Sequence, residues 1–106
     1  MTIQEIEQLK KDNELIGVYF KSPQCGVCGA LLPRIEETFN HHKVSLEVID
    51  ITQSQELIGH EMVMNVPVLK VFHRQRQAFK EGAYMDIKKV GQLLFQYSML
   101  PSKQTE

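Results

Sequence analysis

Residues 14–20, ELIGVYF, form a nearly continuous apolar run that ends at Ser22-Pro23. A half-exposed strand is apolar only at alternate positions, so a run without alternation suits a central strand buried on both faces. Such a strand needs helices above and below it, and suitable segments stand on either side. Thr2 with Glu5 fits a capping box ahead of Ile3, Ile6 and Leu9, which predicts a helix over 2–11. Beyond Pro23 a second helix begins near two cysteines and runs to about Asn40, with Leu31, Leu32, Ile35 and Phe39 on one face.

The pattern then repeats. VSLEVIDI (44–51) alternates as a strand does, and Ser54 is placed to cap a short helix through about Met62. VPVLKVF (66–72) reads as a strand that begins at a proline, HRQRQ (73–77) as a hairpin connection and AFKEGAY (78–84) as the returning strand. Asp86 opens a last helix with Ile87, Val90, Leu94 and Tyr97 on one face, and PSKQTE reads as a loose tail. The order α-β-α-β-α-β-β-α predicts an α/β fold in one domain over 1–106. Its mixed central sheet is flanked by helices on both faces. Helices between the first three strands predict parallel crossovers, and the hairpin predicts an antiparallel edge.

At 106 residues, 42% of them hydrophobic and 24% charged, the chain has the composition of a globular domain with one core. A net charge of −1 provides no global field to recruit nucleic acid or an anionic membrane. The opening MTIQEIEQLK has no apolar stretch of the signal-peptide kind, and the longest apolar stretch, LIGVYF, is too short to span a bilayer. The expectation is a cytoplasmic protein in a reducing environment, where a cysteine pair serves catalysis or metal binding rather than stapling.

Cys25 and Cys28 are the chain's two cysteines. On a helix, residues i and i+3 are neighbours about 5–6 Å apart, within the reach of a disulfide. The first helical turn carries unpaired N–H groups and about half a positive charge, so Cys25, at or just before that turn, gains thiolate stability. Cys28 lies one turn deeper and ionises less readily. This assigns Cys25 as the attacking thiolate and Cys28 as the resolving thiol. Gly26, without a side chain, leaves the approach to Cys25 open. Lys21 lies close enough to lower the Cys25 pKa further, although a solvent-facing lysine at a strand end is the simpler reading. No metal is expected. Structural zinc wants four ligands, and beside one cysteine pair His41, His42, His60 and His73 are scattered. Met62 and Met64 offer soft sulfur but more often pack. Arg74 and Arg76 read as a solvated hairpin tip. Asp50 is either a structural cap or a buried acid, and Tyr19 reads as core rather than as a proton shuttle.

Taken together, VYFKSPQCGVC, Pro33 five residues after Cys28, VIDIT, and NVPVLKVF followed by a hairpin and a capped helix resemble the thioredoxin family over about residues 14–97. The resemblance implies a thioredoxin-like fold in which Pro67 follows a cis bond and faces the cysteines. Val66 would then offer its backbone to a peptide, with Gly26 and Val27 lining the same contact. Pro33 would sit inside the helix and kink it. The implied activity is thiol–disulfide exchange on disulfide-containing proteins by a monomer without an organic cofactor. A thioredoxin reductase-like enzyme or a small thiol would recycle it. The chain departs from the family pattern at several positions. Gln24 stands where a Trp is usual, Val27 for Pro, Tyr19 for a buried Asp, Val48 for its Lys neighbour and Val68 for Thr. These departures keep open an adaptor or redox sensor without turnover, and a metal-binding CxxC protein.

Overall fold

The structure, a computed structural model, describes residues 1–100. The tail reading therefore lies outside the described residues. The elements are α1 (Ile3–Asp12), β1 (Leu15–Lys21), α2 (Gly26–His41), β2 (Ser45–Asp50), α3 (Glu56–His60), β3 (Val68–His73), β4 (Arg76–Glu81) and α4 (Ile87–Ser98), in the expected order. Two of the expected helix starts hold in atomic detail. Thr2 and Glu5 form the reciprocal capping box of α1, and the Asp86 carboxylate accepts from the Lys88 N–H at the start of α4.

The strands line up as β2-β1-β3-β4. Here the first expectation fails: β1 and β2 are parallel, but β3 runs antiparallel to β1. A parallel return would travel back along the whole sheet, about 20 Å for a six-residue strand, whereas the helix of this connection has five residues and covers about 7.5 Å. Asp50 pairs with Lys21, and Val68 pairs with Phe20, so β2 ends and β3 begins at the same rim of the sheet. The 51–67 connection crosses over β1 at that rim and never returns.

Other boundaries shift for local reasons. The hairpin closes on two residues, Arg74 and Gln75, both in the left-handed region at φ 51° and 72°, so the turn is tighter than a five-residue connection and β4 starts at Arg76. Such primed turns match the twist of the flanking strands. Ser54 does not cap α3. Gln55 takes the N-cap position without a side-chain bond, and the Ser54 hydroxyl accepts from the Met1 amino group at 2.6 Å.

β1 divides the core as its apolar run requires. Ile16, Val18 and Phe20 face α1 and α3, packing with Ile6, Leu57 and Phe72, while Tyr19 faces α2 and α4, packing with Leu31, Ile35, Phe39 and Leu94. Gly17 shares the Tyr19 side, and a Cβ there would collide with the ring of Phe39, which is itself buried. The sheet and α2 approach closely because this position has no side chain.

The α1/α3 side holds a buried charge network that hydrophobic patterning does not reveal. Lys70, in the middle of β3, bonds the Glu61 carboxylate at 3.0 Å and also its carbonyl oxygen. Lys10 of α1 bonds the same carboxylate at 2.8 Å, and its ammonium stands 4.2 Å from the centre of the Phe72 ring. All three charged side chains are more than nine-tenths buried. Burial alone would raise the Glu61 carboxyl; the bonds from Lys10 and Lys70 outweigh it and hold it below its ordinary 4.5. Burial lowers Lys70, which Glu61 offsets only in part.

Two outcomes follow from this packing. Gly17→Ala should cost about 1–3 kcal/mol, read in urea melts as a lower midpoint with unchanged slope. Glu61→Gln should cost about 3–5 kcal/mol at neutral pH because it leaves the buried Lys70 ammonium without a carboxylate and Lys10 with Glu7 alone. The depressed Glu61 pKa stabilises the fold above pH 4.5 and ceases to do so as pH falls through the folded-state value. Thermal melts from pH 7 down to pH 3 should therefore show an acid-side loss in the parent chain that is smaller in Glu61→Gln.

Candidate active site

The chain leaves β1 at Lys21, turns at Ser22-Pro23, where the Cys25 N–H donates to the Ser22 carbonyl at 3.3 Å, and enters α2 at Gly26. Cys25 is the N-cap of α2. Its backbone is extended, at φ −94° and ψ 101°, and its Sγ accepts from the Cys28 N–H at 3.1 Å. A sulfur thus fills the capping role that an oxygen usually takes. Cys25 and Cys28 are joined as a disulfide with their Cα atoms 5.2 Å apart. The two sulfurs differ in surroundings: Cys28 is fully buried in the α2/α4 core, whereas Cys25 is partly exposed at its margin.

Around them Gln24, Gly26 and Val27 are exposed, Val27 to 50%. A Cβ on Gly26 would meet nothing within 4 Å among the described residues. Pro33 lies inside α2 on its solvent side, and the helix continues past it to His41. Its missing N–H removes a helical partner from the carbonyl of Gly29, an exposed residue whose carbonyl water can serve.

Beneath the pair lies Tyr19. It is fully buried, and its hydroxyl donates to the Cys28 carbonyl oxygen at 2.8 Å. Burial pushes its pKa up to about 12, so the phenol stays protonated and cannot serve as a base near neutral pH. Val48 is its register partner on β2. Lys21 pairs in register with Asp50. The Asp50 carboxyl is lowered first by the Thr52 hydroxyl, then by the Thr52 N–H, and lastly by the Lys21 charge. Asp50 is thus the cap of a tight turn, and the Lys21 charge acts on it.

The Val66–Pro67 peptide bond is cis. Val66 packs against the cluster that also borders Cys25, and Pro67 is buried, its carbonyl 3.5 Å from where a Gly82 Cβ would lie. Exposed apolar side chains flank this segment in sequence: Met62 and Met64 before it, and Tyr84 two residues after Gly82. Sequence reasoning overlooked Tyr84, an aromatic in a polar turn. It also overlooked Glu61, whose ties to Lys70 fix the start of the 61–67 segment. The signal was a lysine in the middle of VLKVF, since a charge in a doubly covered strand demands a buried partner.

Among the described residues, Glu7, His60 and Glu61 bring possible metal-ligand atoms within 4.8 Å of one another. Lys10 already bonds both carboxylates, at 2.9 and 2.8 Å, so the group is an ion-pair network, and it lies on the face of the sheet away from Cys28. The cleft lined by Arg34, Thr38, His42 and Asp86 is farther along α2 and does not include the cysteines. No helix among the described residues is long and apolar enough to cross a membrane.

The family model described as Thioredoxin matches residues 4–94. The chain belongs to the thioredoxin family. Among solved structures it superposes on a mutant thioredoxin from Halobacterium salinarum with a TM-score of 0.82 and 24% identity, over 93% of this chain and 88% of that one. A thioredoxin from Plasmodium falciparum gives a TM-score of 0.75 and 25% identity, over 91% and 94%. Among curated proteins it is 35% identical to a protein disulfide-isomerase of Humicola insolens over 82 residues, which are 67% of this chain and 16% of that protein. It is 27% identical to the thioredoxin-like protein YdfQ of Bacillus subtilis, over 84% of this chain and 80% of that one. The chain spans about one sixth of the length of the protein disulfide-isomerases it matches. The thioredoxin-like mixed sheet and a CxxC pair, here Cys-Gly-Val-Cys, are thus both present.

The unequal burial of the two sulfurs predicts unequal reactivity. After reduction, iodoacetamide at pH 7 should label Cys25 at least about tenfold faster than Cys28, read by peptide mass spectrometry over time.

Proposed function

We propose that this chain is a thiol–disulfide oxidoreductase in which Cys25 is the nucleophile and Cys28 the resolving thiol. One observation carries the reading: the Cys28 N–H bonds Cys25 Sγ at the first turn of α2, so a negative charge formed on that sulfur meets a donor and the positive end of a helix. The family membership and the closed Cys25–Cys28 pair support it.

In the reducing direction the Cys25 thiolate attacks one sulfur of a substrate disulfide. A mixed disulfide forms, and the other substrate sulfur leaves as a thiolate and takes a proton. Cys28 then loses its proton and attacks Cys25 Sγ. The Cys25–Cys28 bond forms, the mixed disulfide breaks, and the second substrate sulfur departs. The substrate gains two electrons and two protons, and the dithiol of the protein supplies both. Tyr19, protonated up to about pH 12, does not accept the Cys28 proton, which passes to water or to the departing thiolate. A thioredoxin reductase-like enzyme or a small thiol in a reducing compartment returns the pair to the dithiol. Substrate peptides extend along the cis Val66–Pro67 backbone, with Gly26 and Val27 beside them. Met62, Met64 and Tyr84, exposed before Pro67 and after Gly82, offer apolar contacts to such a peptide.

The test is reduction of a protein disulfide such as that of insulin, with dithiothreitol as the recycling thiol. Cys25→Ser should abolish the acceleration over dithiothreitol alone. Cys28→Ser should accumulate mixed disulfides that appear as higher-mass bands on non-reducing gels. A parent chain with no acceleration, together with a Cys28→Ser chain that captures nothing, would instead indicate a binding module of the same fold.

A further inference from the structure

The peptide backbone of Cys28 is held at two points. Its N–H reaches Cys25 Sγ at 3.1 Å, and its carbonyl receives the Tyr19 hydroxyl at 2.8 Å. The second contact joins the first turn of α2 to β1. Gly26, Val27, Gly29 and Ala30 are exposed, and Pro33 deprives the Gly29 carbonyl of its helical donor. The disulfide is the covalent tie between the N-cap and the helix, beside the Gly29 N–H bond to the Cys25 carbonyl at 3.3 Å, and reduction removes that covalent tie. At that moment the sulfur of Cys25 most needs the Cys28 N–H, because it then carries charge.

The hydroxyl of Tyr19 is independent of this cycle. It holds no redox-active atom, lies fully buried, and keeps its proton across the neutral range. Filling the core does not require it. A phenylalanine ring occupies nearly the same volume, and the rest of this side of the sheet is apolar: Leu31, Ile35, Phe39, Leu69 and Val71. In the apolar run that forms β1, the one hydroxyl lands on the one residue whose N–H caps the nucleophile.

We infer that Tyr19 is a positioning residue for the dithiol: its hydroxyl fixes the Cys28 backbone to the sheet so that the Cys28 N–H stays aimed at Cys25 Sγ after the disulfide opens. This rests on the oxidoreductase reading for its use in turnover, and on geometry alone for its effect on the sulfur. The hydroxyl acts through the Cys28 carbonyl and does not touch the reacting atoms.

The sign of its effect is fixed by which state it favours. A donor on Cys25 Sγ stabilises a thiolate more than a disulfide sulfur, because a charge-assisted bond is the stronger one. Tyr19 therefore favours the reduced form and raises the reduction potential. Tyr19→Phe should lower the alkylation rate of reduced Cys25 at pH 7 by about three- to tenfold. It should also shift the equilibrium with glutathione toward the disulfide by up to about tenfold, which is about 30 mV more negative. Its thermal unfolding should remain cooperative. A Phe variant that is folded, with alkylation and potential equal to the parent, overturns the inference. A second measurement needs no variant: in the reduced parent chain the Cys28 amide hydrogen should exchange as slowly as amides in the middle of α2, and fast exchange there overturns it equally. Both readouts are stoichiometric. An inactive chain that shows the Tyr19→Phe shift sinks only the oxidoreductase reading, and an active chain without the shift sinks only this inference.

Discussion

The covering of β1 on both faces organises this molecule. The strand's alternate side chains enter two separate cores, one under α1 and α3, the other under α2 and α4. Fully burying an aliphatic or aromatic side chain is worth about 1.5–3 kcal/mol, and Ile16, Val18, Tyr19 and Phe20 are each at most 2% exposed. Moving the strand by one residue would exchange its two sets of side chains, so Gly17 would no longer face Phe39 and Tyr19 would no longer lie under Cys28. The register of this one strand thus places the hydroxyl beneath the disulfide and sets the close approach of α2.

The site follows from where β1 ends. At its C-terminal rim the chain breaks at Ser22-Pro23 and starts α2 on a cysteine, and the antiparallel β3 begins at the same rim just after Pro67. Had β3 been parallel to β1, as the interposed helices implied, its first residues would lie at the opposite rim, a sheet's length from the sulfurs. The path of the 51–67 connection therefore matters to function: it brings the 61–67 segment to the cysteine end.

Much of this was legible beforehand because it is local. The capping box at Thr2, the cap at Asp86, the strand-like runs and the i, i+3 cysteines depend on residues within one turn or one strand of each other. The direction of β3 depends on the path of the whole 51–67 connection, which the residues around Ser54 do not reveal, since that side chain bonds Met1 instead of capping the helix. The two-residue hairpin uses left-handed Arg74 and Gln75 where glycine or asparagine is the usual signal. The bond from Tyr19 to Cys28 and the ties among Lys10, Glu61 and Lys70 join separate elements. Composition and periodicity do not record them, although the lone lysine within VLKVF hints that a partner exists.

That ionic trio also bears on how the sequence can change over generations. Its members lie far apart in the chain, Lys10 and Glu61 fifty-one positions from each other, and Glu61 is the carboxylate that both lysines share. Losing Glu61 first passes through an intermediate with Lys70 unmatched in a dry interior, whereas losing either lysine leaves Glu61 paired with the other. Descendants of this protein can thus lose Glu61 only together with, or after, Lys70.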